Sequence, residues 1–275
     1  MTAATGAKGA SRPRLSRDAV LAAALPMADR EGLDGLSMRA LAQRLGVVPM
    51  ALYKHVANKD ELIDGIVDLV WAEVEPPDAA DPPNAADPPD AADPPDAADL
   101  QSWRPAMRAR AASLRQALRR HPWAVGLMET RMRPGPANLF QHNAMMGCLR
   151  RAGFSFRTTV HVTSVLDAYV YGFALQEKTL PFDTAEESGA LAAQKLAQQQ
   201  QEERPPAELA AAFPYLMEVV AELAAQGYDY DAEFATGLDL ILDGVERLRP
   251  EWSRAGDAPP GSAPADPAPD PGAPR

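Results

Sequence analysis

Residues 76–99 read PPDAAD, PPNAAD, PPDAAD, PPDAAD, a composition that no packed element accommodates. Each of the eight prolines lacks an amide donor and drives the residue before it towards extended geometry. Seven aspartates with no basic residue add like-charge repulsion. A polar six-residue period buries no solenoid core, so the stretch reads as a stiff, disordered, low-complexity insertion. It divides the chain into an N-terminal block, 12–75, and a larger C-terminal block, 100–253. Residues 1–11 and the tail 254–275, which is rich in proline, are expected to be disordered.

Both blocks read as helical. Apolar residues make up 46% of the chain, enough for a sizeable core, while aromatics are only 6% and Ala and Leu abound. From Lys8 to Asp64 nine basic residues face seven acidic ones, whereas the whole chain carries −11. A mildly basic head on an acidic body suits an N-terminus that meets a polyanion. The single cysteine, Cys148, excludes an internal disulfide and a Cys-rich zinc site and points to the cytoplasm. No run of about 18 apolar residues exists, so no membrane partner is expected. The apolar run 19–28 is preceded by Asp18, contains Pro26 and ends in Asp29-Arg30-Glu31, which marks a soluble helix rather than a signal peptide.

In the N-terminal block Ser16 is a candidate N-cap for a helix with Val20, Leu21, Ala24, Leu25 and Ala28 at helical spacing up to Gly32. Ser37 opens a second helix whose Met38, Leu41, Ala42 and Leu45 share a face, and Gly46 stops it. Pro49 begins a short helix to His55, with Leu52 and Val56 inward, and Asn58 caps a longer one, Lys59 to Glu73. Two short helices across a glycine turn form either a helix-turn-helix or an ordinary helical hairpin.

The run Gly35-Leu36-Ser37-Met38-Arg39-Ala40-Leu41-Ala42-Gln43-Arg44-Leu45-Gly46-Val47, with Met50-Ala51-Leu52-Tyr53-Lys54-His55-Val56 and Asn58-Lys59-Asp60-Glu61-Leu62, resembles the DNA-binding domain of the TetR family of transcriptional regulators. That resemblance implies an all-α architecture. A three-helix helix-turn-helix domain is joined by a helix to an α-helical domain for ligand binding and dimerisation. It also implies roles for particular residues. Ser37 holds a phosphate at its helix N-terminus. Arg39 reaches into the groove, where a guanidinium matches guanine. Pro49, Met50 and Ala51 offer apolar contacts to thymine methyls. Tyr53, Lys54, His55 and Lys59 clasp phosphates, which sets register without reading sequence.

In the C-terminal block two helices carry heptad-like seams. Leu209, Phe213, Leu216, Val220 and Leu223 fall within 206–226, and Phe234, Leu238, Ile241, Val245 and Leu248 within 231–249. The short connection 227–230 predicts antiparallel neighbours, and Gly237 and Gly244 leave room for a further helix. The second helix resembles the closing helix of the tetracycline-repressor-type domain. This implies that Leu209, Phe213, Leu216, Val220, Phe234, Leu238, Ile241 and Val245 form a four-helix homodimer interface.

The helix from Arg157 to Glu177 places Thr163, Asp167 and Tyr171 on one face and His161 on an adjacent one. Polar groups in an apolar helix require partners or a polar cavity. With Trp103, Trp123, Met128, His142, Met145 and Phe154 they form the candidate small-molecule site, to which Phe140 and Met146 are further candidates; packing in the core is the competing role for each. In the tetracycline repressors the resemblance places Mg²⁺-tetracycline histidines after the fourth helix and in the loop matched by 123–133. Here Met128 stands near the loop position and 70–75 holds no histidine, so no metal or cofactor is expected, and the effector is expected to be apolar or aromatic. His121, followed by Pro122, marks a turn. Gly-rich phosphate cradles, Cys-based nucleophile arrangements and His/Glu metal spacings are missing, which disfavours an enzyme. A ligand-responsive repressor on a palindromic double-stranded operator remains, with an effector-free architectural DNA-binding protein as the alternative, favoured if the C-terminal block has no pocket.

Overall fold

The computed structural model describes residues 15–77, 97–182, 184–199 and 210–254. Among these the regular elements are all helices: α1 (Arg17–Gly35), α2 (Met38–Leu45), α3 (Pro49–Leu52), α4 (Lys59–Ala72), α5 (Ala97–Arg120), α6 (Pro136–Arg151), α7 (Phe156–Glu177), α8 (Ala185–Gln199), α9 (Pro214–Gln226) and α10 (Tyr230–Arg254). The chain forms two compact units. One takes residues up to Glu75 together with Ser113–His142; the other takes Pro76–Ala112 and Asn143 onward. The sequence division at the Pro/Asp repeat therefore differs from the packing, which gathers 113–142 with the N-terminal helices. Residues 78–96 of the repeat lie outside the described residues, and Ala97–Asp99, expected to belong to the insertion, open α5. Arg254, expected to begin the tail, ends α10.

In the first unit local chemistry sets the helix ends. Ser16, Ser37 and Asn58 each cap a helix by accepting an amide N–H, from Ala19, Ala40 and Glu61 respectively. The expected stop at Gly32 appears as a kink inside α1, and Gly46 ends α2; both hold φ near +70°, where a side chain is strained. α3 ends at Leu52, shorter than the expected His55, because a turn follows it. Val20, Leu21, Ala24, Ala28, Leu36, Leu41, Leu52, Val56, Leu62 and Ile66 form one buried cluster that locks α1 to α4 together.

In the second unit α9 packs on α8 and α10 on α7. The two seam helices are therefore not each other's main neighbours among the described residues. Phe213 breaks the first seam, with φ −133° and ψ 61° before α9 begins at Pro214, and Leu209 lies outside the described residues. Leu216 and Val220 remain exposed or partly exposed on α9. The second seam has another use. Phe234, Leu238 and Val245 are buried within this chain and pack in their own unit, while Ile241 is half-buried. The reason is aromatic packing. The Tyr169 ring stacks on Phe234 with centroids 5.4 Å apart, and its hydroxyl donates to the Phe234 carbonyl at 2.9 Å. The space beside Gly237, expected to admit another helix, is filled by that tyrosine: a Cβ there would lie 2.3 Å from its Oη. Arg104 and Arg108, one turn apart on α5, pair with Asp243 and Asp239, one turn apart on α10.

Candidate nucleic-acid interface and ligand cavity

The helix-turn-helix surface presents the expected residues in two chemical kinds. Ser37, Arg39, Tyr53 and Lys54 are exposed polar groups around α2 and α3, and His55 is half-buried. Pro49 and Met50 are exposed, Met50 to 71%, while Ala51 is half-buried over the inward Leu52. Val48, directly before Pro49, is about equally exposed and extends the apolar strip, a contributor beyond the expected residues. An apolar strip flanked by cations fits a major groove edged by phosphates and floored by methyl groups. Lys59, exposed on α4, has a partner within the chain. Its ammonium donates to the Leu33 carbonyl at 2.7 Å, because the kink at Gly32 leaves the end of α1 with an unpaired carbonyl that a nearby cation satisfies. It joins α4 to α1.

The same unit encloses a cavity of about 230 Å³. Asp64, Val67, Asp68 and Trp71, at helical spacings of three, one and three, supply the α4 wall. The opposite wall is the connection carrying Met128, Glu129, Arg131, Arg133, Pro134 and Gly135, continued by Asn138, Leu139 and His142 on α6. The Asp68 carboxylate accepts the N–H groups of Ala137 and Asn138, at 3.3 and 3.0 Å, and so caps the start of α6. Arg131 pairs with Asp64 and donates to the Asp60 carbonyl at 3.1 Å. His142 donates from Nδ1 to the Asn138 carbonyl at 2.9 Å, turns Nε2 towards Glu129 at 3.7 Å, and lies 5.1 Å from the Trp71 ring. Val67, Trp71, Met128, Pro134 and Leu139 leave most of the remaining wall apolar, with the exposed Arg133 among the lining residues.

Of the ten residues expected to enclose a ligand, only Met128 and His142 line this cavity. Trp123 packs against the helix-turn-helix core and donates its Nε1–H to Asp29 at 2.8 Å. Trp103 and Phe154 meet edge-on at 4.9 Å and Met145 is fully buried, all three as core of the second unit. Thr163 donates to the Thr159 carbonyl of its own helix. Asp167 is paired at 3.0 Å with Arg110, and both are buried. Tyr171 is half-buried and His161 exposed on α7, neither at the cavity. The cavity's α4 wall was missed, although two aspartates and a tryptophan on one face of an apolar helix were its signal.

Residues 20–66 match the family model described as bacterial regulatory proteins, tetR family, and residues 95–249 match the tetracyclin repressor-like C-terminal domain. The chain belongs to the TetR family. It is a DNA-binding, ligand-responsive transcriptional repressor. A TetR relative named HTH-type transcriptional regulator, from Saccharopolyspora erythraea, is 31% identical over 86% of each chain. The class A tetracycline repressor protein of Escherichia coli is 28% identical over 86% of this chain and 93% of its own. Among solved TetR structures, ActR of Streptomyces coelicolor in complex with actinorhodin is 27% identical, with a TM-score of 0.62 over 85% of this chain and 96% of its own. Among the described residues no helix is long and apolar enough to cross a membrane.

Proposed function

We propose that this TetR-family repressor binds a palindromic operator as a homodimer in the cytoplasm, and that an effector entering the cavity beside α4 releases it. The observation that carries this reading is the double duty of α4. Leu62 and Ile66 belong to the helix-turn-helix core, while Val67 and Trp71, further along the same helix, line the cavity. An occupant that displaces the end of α4 therefore acts on the helix against which the DNA-reading elements pack. The coupling is bounded by the occupant's differential affinity for the two positions of that helix. The walls suit an aromatic or mostly apolar molecule with one anionic or acceptor group for Arg133. The actinorhodin complex of ActR supports the same ligand class.

Two operator half-sites about 34 Å apart demand two copies of α3. Tyr215, Leu216 and Val219 stand exposed on α9, Tyr215 to 82%, and Leu240 stands exposed on α10; these apolar side chains supply the surface for a second copy. Selection from a random duplex pool tests the reading together with Met128→Trp, which fills the cavity. The wild type is expected to recover inverted repeats and to lose them on addition of actinorhodin, the ligand of the ActR complex. The filled variant is expected to keep the repeats and ignore actinorhodin. Recovery of no inverted repeat by the wild type refutes the reading.

A further inference from the structure

Where α5 ends, the buried His121 stands between two carboxylates. Its Nδ1 lies 2.7 Å from Asp29 Oδ1 on α1, and its Nε2 lies 3.1 Å from Glu73 Oε1, just past the end of α4. Both carboxylates are held from elsewhere as well. Trp123 donates to Asp29 at 2.8 Å, and Arg120 donates to Glu73 from Nε and Nη2 at 3.0 and 2.7 Å. Among the described residues these are the charged groups placed at the ring from α1, α4 and α5, and the groups that meet its nitrogens, the Asp29 and Glu73 carboxylates, are acceptors.

From this arrangement we infer that His121 is a positioning residue for DNA binding: as an imidazolium it bridges α1 to the end of α4, and loss of its proton loosens the helix-turn-helix domain. An imidazolium donates from both nitrogens, whereas neutral imidazole keeps one N–H and turns a lone pair on the other carboxylate. One of the two contacts then changes from attraction to repulsion. Histidine is the side chain whose charge ordinarily changes between pH 5 and 8. Asp29 follows directly on Met27 and Ala28, which are buried in the cluster beneath α2 and α3. A domain with α1 tied down loses less freedom on the operator, so the protonated form binds more tightly. The inference rests on DNA binding by this domain and does not involve the cavity.

The test uses the full chain and an inverted-repeat duplex that the wild type recovers from a random pool. Dissociation constants are measured by fluorescence anisotropy at pH 6 and pH 8 at fixed ionic strength. The wild type is expected to bind about tenfold more tightly at pH 6. His121→Gln and Asp29→Asn are expected to lose most of that ratio. Because a purely structural role changes affinity equally at both pH values, the ratio separates the two roles. If His121→Gln does not fold, as judged by circular dichroism, Asp29→Asn and the wild-type profile decide. An unchanged ratio in the folded variants, or a wild type indifferent to pH, overturns the inference. A wild type that selects no duplex overturns DNA reading itself, which is a separate failure.

Discussion

Asp167→Ala removes the carboxylate that meets Arg110 at 3.0 Å. The two side chains are only 1% and 9% exposed, Arg110 being the deeper, so the variant removes a carboxylate from beside a buried guanidinium where water replaces it poorly. Breaking one partner of a buried pair costs about 3–5 kcal/mol, a large part of the ~5–15 kcal/mol that holds a domain folded. For a chain of this size that corresponds to a fall in Tm of about 6–20 °C. The double variant Arg110→Met/Asp167→Leu removes both charges and keeps the volume, and it is expected to recover most of the loss. Urea unfolding followed by circular dichroism reads both, and the cycle closed with Arg110→Met gives the coupling. If Asp167→Ala costs under ~1 kcal/mol, or the double variant is no better than the single one, the pair does not stabilise this unit. Asp167 would then return to the ligand role for which its helical face first suggested it.

Further outcomes follow from other sites. Arg39→Ala is expected to weaken operator binding by about 1–3 kcal/mol and to relax preference at one base pair, whereas Lys59→Ala is expected to lower thermal stability without flattening the salt dependence of binding. Gly237→Ala is expected to destabilise the second unit by about 1–3 kcal/mol, because the new methyl meets the Tyr169 hydroxyl; thermal melts check this. Leu216→Glu/Val219→Glu on exposed α9 is expected to give a folded monomer in analytical ultracentrifugation, whereas Leu238→Glu, buried in its own unit, is expected to unfold the chain. The hydroxyls of Tyr228 and Tyr230 are raised above the ordinary 10.0, first by burial and then by Glu233 and Glu177 respectively. The folded chain therefore holds those protons more tightly than the unfolded one. Their contribution is fully present below pH 10 and is lost as pH rises through the raised values, and Tyr228→Phe/Tyr230→Phe is expected to blunt that alkaline loss in pH-dependent melts.

The helix-turn-helix domain was legible in the amino-acid order because its determinants are local. Caps at Ser16, Ser37 and Asn58, the stop at Gly46, and Pro49 at the start of α3 act within one turn of chain. Spacing alone then turns Leu41, Leu52 and Leu62 inward and leaves Arg39 and Met50 outward. What lay beyond reach depends on which apolar face meets which. A heptad stripe states that a helix buries one side and says nothing about the partner, so the Phe234–Val245 seam suited a second subunit as well as it suited α7. Polar residues behave alike: Asp167 on an apolar helix demands a partner, yet only the packed structure decides that Arg110, 57 positions earlier, supplies it. The bridge at His121 and the cavity wall on α4 have the same origin. Their groups come from segments tens of residues apart, and the free energy that selects such pairings is summed over the whole core rather than written in any window of sequence.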